Sequence, residues 1–258
     1  MSGLFDLGGK RAFITGGSRG LGREMALALA RAGADIALVA RPSAALDDTG
    51  DEIRALGRAI WALEADISNP EATELACQRA LDEIGTFDIL INNVGGRRVN
   101  IATTDLDLAT WREMMDLNLT STYLCSRILG RAMIAAGKGG RIINVASINA
   151  MVAGKGIGGR HYETAKAAVV QFTRTLAVDW APHGITANVI CPGVFATEPN
   201  LRWQCSNPEI IKGIVAGIPM GTMGDPEDIG ALALYLASDS ARFMTGASLV
   251  IDGGYTCV

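Results

Sequence analysis

Tyr162 and Lys166 stand four residues apart in a stretch of helical period. At about 3.6 residues per turn they share one helix face. Ser147 closes an apolar run of strand length, and Asn118 falls inside a long helical stretch. Such a set suits proton transfer to a carbonyl oxygen that gains charge as a hydride adds to its carbon. An ordinary tyrosine, with a pKa of about 10, is a poor acid–base group at neutral pH. A neighbouring ammonium favours the phenolate, and bringing the pKa to about 7 needs about 4 kcal/mol, within reach of a close charge in a partly dry cleft. Lys166 is therefore expected to make Tyr162 acidic, and Ser147 to hold the substrate oxygen. A Tyr-x-x-x-Lys pair is common on helices, so its weight depends on its company.

That company is a glycine-rich turn, Thr15-Gly16-Gly17-Ser18-Arg19-Gly20-Leu21-Gly22, between a strand-like run and a helical one. Glycines let backbone turn sharply and approach a pyrophosphate, while the helix start offers free N–H groups and partial positive charge. The spacing Gly-x-x-x-Gly-x-Gly differs from the commoner Gly-x-Gly-x-x-Gly, but its place between strand and helix predicts a dinucleotide site. An acidic residue after the second strand would select NAD(H). This chain has Ala40-Arg41 there, and Arg19 lies in the glycine turn. Two guanidinium groups suit a 2′-phosphate, so NADP(H) is expected, with NAD(H) the alternative should both arginines merely be solvated. Asp66, with Ile67 beside it, follows the third strand and suits the adenine amino group. Asn92-Asn93-Val94-Gly95 follows the fourth, its small residues letting backbone pass the ribose.

The elements that must position these groups can be read from periodicity. Strands are expected at 11–15, 35–40, 59–65, 87–92, 141–147, 186–191 and 248–252, and helices at 22–32, 43–56, 71–84, 108–136, 162–180 and 225–237. Several strands are apolar without alternation, as a parallel sheet covered on both faces requires. The strand–helix repeat predicts one α/β domain of Rossmann type, a doubly wound parallel sheet of about seven strands with ligands beyond the strands' carboxyl ends. The 258 residues, 49% of them hydrophobic, allow a large core. The longest irregular region is expected at about 192–208, with a substrate lid over about 193–220. A net charge of -4 gives no footprint for nucleic acid or an anionic membrane. Five scattered cysteines and two histidines argue against a disulfide framework or a metal site. With no basic-then-apolar leader and no run of membrane length, a cytoplasmic protein is expected.

Together these residues resemble the short-chain dehydrogenase/reductase family, from Lys10 to Tyr255. By that resemblance Tyr162 is the acid–base group. Lys166 lowers its pKa and binds the nicotinamide ribose, Ser147 orients substrate, and Asn118 holds a water in a proton relay. Gly16, Ser18, Arg19, Gly20, Leu21, Gly22, Arg41, Asp66, Ile67, Asn93 and Gly95 would contact the cofactor. The segment carrying Pro192, Gly193, Phe195 and Thr197 resembles the one that fixes the carboxamide. Val94 departs from the family's usual alanine. The family is commonly tetrameric, so a homotetramer is expected.

Fold does not name a substrate. Arg97, Arg98, Asn149, Arg160, His161, Glu198 and Trp203 are expected around a polar, partly cationic pocket. Asn200 also falls in the expected lid. Arg97-Arg98 with Phe195-Ala196-Thr197-Glu198 resembles the gluconate 5-dehydrogenase-like subgroup, which implies a small sugar acid or polyol and a secondary alcohol–ketone interconversion. Two alternatives are a 3-oxoacyl-thioester reductase, which would share the same catalytic groups, and a non-enzymatic NADP(H)-sensing regulator, which would not need Tyr162 with Lys166.

Overall fold

A computed structural model describes residues 3–154 and 159–258. Seven strands, β1 (Arg11–Thr15), β2 (Asp35–Ala40), β3 (Ile60–Glu64), β4 (Ile89–Asn92), β5 (Gly140–Val145), β6 (Ile185–Pro192) and β7 (Ser248–Ile251), form one parallel sheet in the order β3-β2-β1-β4-β5-β6-β7. The reversal between β1 and β4 opens a crevice at the carboxyl edge, where ligands of such sheets sit.

Alternate side chains of each central strand feed opposite cores. Ala12, Ile14, Ile36 and Leu38 face one side, against α1 (Gly20–Arg31), α2 (Ala44–Ala55) and α9, which spans Pro226–Ala237. Phe13, Ala37, Val39 and Leu90 face the other, against α3 (Pro70–Ile84), α5 (Ser121–Ala136) and α6 (Arg160–Trp180). Phe13 and Phe87 meet edge to face at 5.3 Å, a favoured aromatic geometry. Both faces are thus covered, which accounts for strands that read as apolar runs.

Local chemistry fixes the helix starts. Asn69 Oδ1 accepts from the Ala72 N–H at 2.9 Å, with Pro70 next in the chain. Asp107 caps α4 (Leu108–Met115) by accepting from Thr110 N–H at 2.8 Å, and Asp225 accepts from Glu227 N–H at 3.0 Å.

Two expectations need correction. The helix expected over 108–136 is interrupted by a π-helical turn at Asp116–Thr120, an insertion that often marks functional sites, and Asn118 lies within it. The region expected to be irregular, 192–208, holds a helix, α7 (Glu198–Ser206), and the rest of the expected lid begins with a second, α8 (Pro208–Ala216). Pro199 and Pro208, which read as loop residues, occupy first-turn positions where a missing N–H costs nothing. No helix among the described residues is long and apolar enough to cross a membrane.

Candidate active site

A cleft of about 680 Å³ runs along the carboxyl edge of the sheet, within the size range of small-molecule sites. One end is the glycine turn. Gly16 has φ +68° and Gly20 φ +57°, a region that L side chains rarely enter. Gly22 is excluded from bearing a side chain by backbone, since a Cβ there would lie 2.2 Å from the Gly16 carbonyl oxygen. Arg19, which precedes α1, makes no side-chain cap, so the first N–H groups of α1 face the cleft as an anion cradle. Asn93 holds the turn from behind, donating from Nδ2 to the Thr15 and Gly16 carbonyls at 3.1 and 3.2 Å. The Thr15 hydroxyl accepts from the N–H groups of Asn93 and Val94 at 3.0 and 3.2 Å.

Gly16, Ser18, Arg19, Gly20, Leu21, Arg41, Asp66, Ile67, Asn93, Gly95, Pro192, Gly193, Phe195 and Thr197 all line the cleft. Gly22 lies behind it as a packing position. Burial works against ionisation of Asp66, but the Ser68 hydroxyl and N–H, at 2.7 and 2.9 Å, hold its carboxyl below the usual range, aided by the charges of Arg41 and Arg98. Arg19 also lies 3.6 Å from Glu198 at the start of α7.

The other end holds Ser147, Tyr162 and Lys166. Ser147 is extended two residues beyond β5, and its Oγ accepts from Asn149 N–H at 3.1 Å. Its hydroxyl lies beside the Tyr162 phenol and acts to lower the phenol's pKa. Lys166, one turn further along α6, is buried and donates from Nζ to the Val145 carbonyl at 2.8 Å. Its Nζ lies 5.9 Å from the Tyr162 ring centre. A buried polar chain locks these elements in register. Asn92 Nδ2 donates to Asn144 Oδ1 at 2.8 Å and to Ser126 Oγ at 3.0 Å, and Asn144 Nδ2 donates to Thr173 Oγ1 at 2.8 Å. Strand β5, which leads to Ser147, is thereby tied to α6, which carries Tyr162 and Lys166.

Asn118 is fully buried and acts as a clamp. Its Oδ1 accepts from Gly96 N–H at 2.8 Å, while its Nδ2 donates to the Gly96 and Met114 carbonyls at 3.1 and 3.0 Å. The π turn supplies the offset that brings this amide to the turn after β4. A side chain at Gly95 would displace both groups, since a Cβ there would lie 2.6 Å from Lys166 Nζ and 2.8 Å from Asn118 Oδ1.

The electrostatics depart from expectation. Burial pushes the Tyr162 phenol above its usual pKa, opposed by the Ser147 hydroxyl and the Arg97 charge. Burial also brings the Lys166 ammonium down to about 8. The pair thus parts with its first proton from Lys166, and the phenol stays protonated at neutral pH. Of the two cations beside the ring, Arg97 is the nearer, its guanidinium carbon 4.9 Å from the ring centre against 5.9 Å for Lys166 Nζ.

The residues expected around substrate divide. Arg98 lines the cleft, held at φ +49°. Arg97 turns instead to Glu163, with two contacts at 3.0 and 3.2 Å. Arg160 also binds Glu163, at 3.0 Å, and donates to the Gly154 carbonyl at 3.0 Å. His161 is fully buried, its Nε2 3.2 Å from the Arg97 carbonyl. Glu198 pairs with Arg19 and Arg202. Asn149 and Trp203 are half-buried and, like these four, lie outside the described cleft lining. Asn200, Pro199, Val94 and Leu117 line it in their place. Asn200 is marked in sequence by its polarity within the expected lid, and Val94 by its place in the stretch after the fourth strand; Pro199 and Leu117 carry no chemical signal there. Among the described residues there is no group of three metal-binding side chains.

The glycine cradle, the bare helix start and the Ser147–Tyr162–Lys166 cluster form one groove suited to a dinucleotide with its reacting end at the phenol. Known proteins agree. A family model described as enoyl-(acyl carrier protein) reductase matches residues 16–256. Galactitol 2-dehydrogenase (L-tagatose-forming) of Cereibacter sphaeroides is 39% identical, over 98% of this chain and 97% of the relative. The 2-dehydro-3-deoxy-D-gluconate 5-dehydrogenase of Dickeya dadantii is 36% identical over 97% of each. A solved Agrobacterium tumefaciens structure with bound NADP is 34% identical and superposes with a TM-score of 0.90 over 99% of both chains. With a match that runs from the glycine turn to the last residues of the chain, this protein belongs to the short-chain dehydrogenase/reductase family and is an oxidoreductase.

Proposed function

We propose that the protein interconverts a secondary alcohol and a ketone on a small sugar acid or polyol, using NADP(H), with Tyr162 as acid–base group. The observation that carries this reading is the half-buried phenol, set beside Ser147 and one helical turn from Lys166, at the end of a groove whose other end bears Arg19 and Arg41. When bound, the nicotinamide supplies or accepts the hydride. In the reducing direction the Tyr162 O–H donates its proton to the carbonyl oxygen while Ser147 holds that oxygen by a hydrogen bond. A protonated phenol at neutral pH suits this step. In oxidation the phenolate takes the alcohol proton. Lys166, cationic below about pH 8, would bind the nicotinamide ribose, and Asn118 keeps the turn at Gly95 and Gly96 in place.

Arg19 and Arg41 would hold a 2′-phosphate, with Asp66 at the adenine. Arg98 is the cation left on the cleft wall for a substrate carboxylate or a cofactor phosphate. Helices α7 and α8 form a lid, since α7 buries none of its own residues and loosely packed segments are the ones that open. A cytoplasmic homotetramer fits the family and the absence of a spanning helix among the described residues.

Replacing Arg41 by Ala is expected to raise KM for NADP⁺ about 10- to 100-fold, the loss of one charge-assisted contact of about 1.5–3 kcal/mol, with little change for NAD⁺. Equal effects on both dinucleotides would remove Arg41 from the phosphate site. The substrate class is tested by following nicotinamide absorbance across sugar acids, polyols and an acetoacetyl thioester with each dinucleotide. Turnover of a sugar acid or polyol well above the thioester is expected. Thioester turnover alone would favour the carrier-type reductase, and no turnover would sink the enzymatic reading.

A further inference from the structure

Arg97 lies where sequence places a substrate contact, yet its guanidinium is committed elsewhere. Glu163 grips it with two oxygens, and Arg97 also donates to the Gly159 carbonyl at 3.1 Å. The pair is largely buried, with side-chain exposures of 18% and 11%, so its charges are screened less than those of a surface ion pair. The Arg97 guanidinium carbon stands 4.9 Å from the centre of the Tyr162 ring, within the range of a cation–π contact. Glu163 is the next residue after Tyr162 on α6 and is shared with Arg160.

We propose that Arg97 is a positioning residue of the reaction: clamped by Glu163 and the Gly159 carbonyl, its guanidinium fixes the Tyr162 ring and supports the ionised phenol. Several groups surround the phenol. From α6 itself come Lys166 and Glu163, from the end of β5 the Ser147 hydroxyl, from β6 the Cys191 thiol, and from the turn after β4 only Arg97 among the described residues. Lys166 spends a hydrogen bond on the Val145 carbonyl, and burial holds Cys191 at about 11, neutral in the working range. Burial and the Ser147 hydroxyl act most strongly on the phenol, and on top of them Arg97 favours the phenolate while Glu163 opposes it, so the pair adjusts the phenol's acidity by two opposite charges.

This inference rests on Tyr162 being the acid–base group, and the test separates the two. Tyrosinate absorbance is followed against pH in each variant and subtracted from that of the same variant carrying Tyr162→Phe, which isolates the Tyr162 titration without substrate. Arg97→Met is expected to move the midpoint up by about one pH unit or more, and Glu163→Gln to move it down. Arg97→Lys, which keeps the charge, is expected to return it toward wild type. The alkaline rise of alcohol oxidation should move in parallel, with KM for the dinucleotide unchanged. Midpoints that stay fixed, or that move in the same direction in Arg97→Met and Glu163→Gln, overturn the proposal. So does a rise in KM for anionic substrates in Arg97→Met with no midpoint change, which would return Arg97 to substrate binding. Should Arg97→Met fail to fold, the absence of a downward shift in Glu163→Gln alone overturns it. A midpoint that moves while the oxidation profile does not would support Arg97 and instead remove Tyr162 from the acid–base role.

Discussion

Tyr162→Phe is expected to lose about 10²- to 10⁴-fold in turnover, the range associated with one general acid–base group. Its affinity for the dinucleotide is expected to change little. The substitution removes one oxygen and leaves the ring against Arg97 and the packing of α6 intact. The half-buried ring keeps its place, and only its polar contact toward Ser147 is lost. Dinucleotide titration by intrinsic fluorescence, set beside turnover on the same sample, separates the two effects. Loss of binding in step with turnover would mean that the phenol serves mainly to build the groove, whereas unchanged output would favour a regulator that only senses the dinucleotide.

Gly22→Ala is expected to abolish dinucleotide binding and to destabilise the fold by about 1–3 kcal/mol, as overpacking of a tight site does. The new Cβ would stand 2.2 Å from the Gly16 carbonyl oxygen and 2.5 Å from Asn93 Nδ2. The first is backbone of the glycine turn itself, and the second is the side-chain amide that holds the turn from behind. The turn must therefore move, and with it the N–H cradle at the start of α1. Gly213→Ala supplies the control. Gly213 lies in α8, and a Cβ there would meet nothing within 4 Å, while alanine is the better helix former by about 1 kcal/mol. Thermal unfolding and dinucleotide titration of both variants check the contrast. Wild-type affinity in Gly22→Ala would mean that the turn does not cradle the ligand.

Much of this architecture is visible in the chain because its signals are local. The apolar runs beginning at Arg11 and Asp35 match β1 and β2 to the residue. Asn69-Pro70 and Asp225-Pro226 mark helix starts through cap chemistry alone. The site clusters because each of its residues follows a strand or opens a helix, and a parallel sheet brings those ends to one edge.

What the chain hides depends on long-range contacts. The π turn at Asp116–Thr120 breaks a helical period by a single residue, and Asn118 shows its purpose only against Gly96. Asn92 and Asn144 are polar residues in otherwise apolar strands, but their shared bond and the link to Thr173 need the sheet register. The sharpest difference concerns charge. Spacing along α6 puts an ammonium beside the phenol, but burial weakens that ammonium and lifts the phenol, and the arginine from another element faces the ring. Burial and cross-element contacts are set by the fold as a whole, so helical spacing alone does not reveal them.

The central claim is that the Tyr162 phenol is the group that moves the proton, and the pH dependence of alcohol oxidation tests it most directly. Burial holds the phenol protonated at neutral pH, while oxidation needs its ionised form, so the wild-type rate constant should climb as pH rises above neutrality. Ketone reduction uses the protonated form and should not show that climb. In Tyr162→Phe the residual oxidation should be flat over the same range. A residual rate that climbs with the wild-type slope would place the titrating proton on another group and contradict the account.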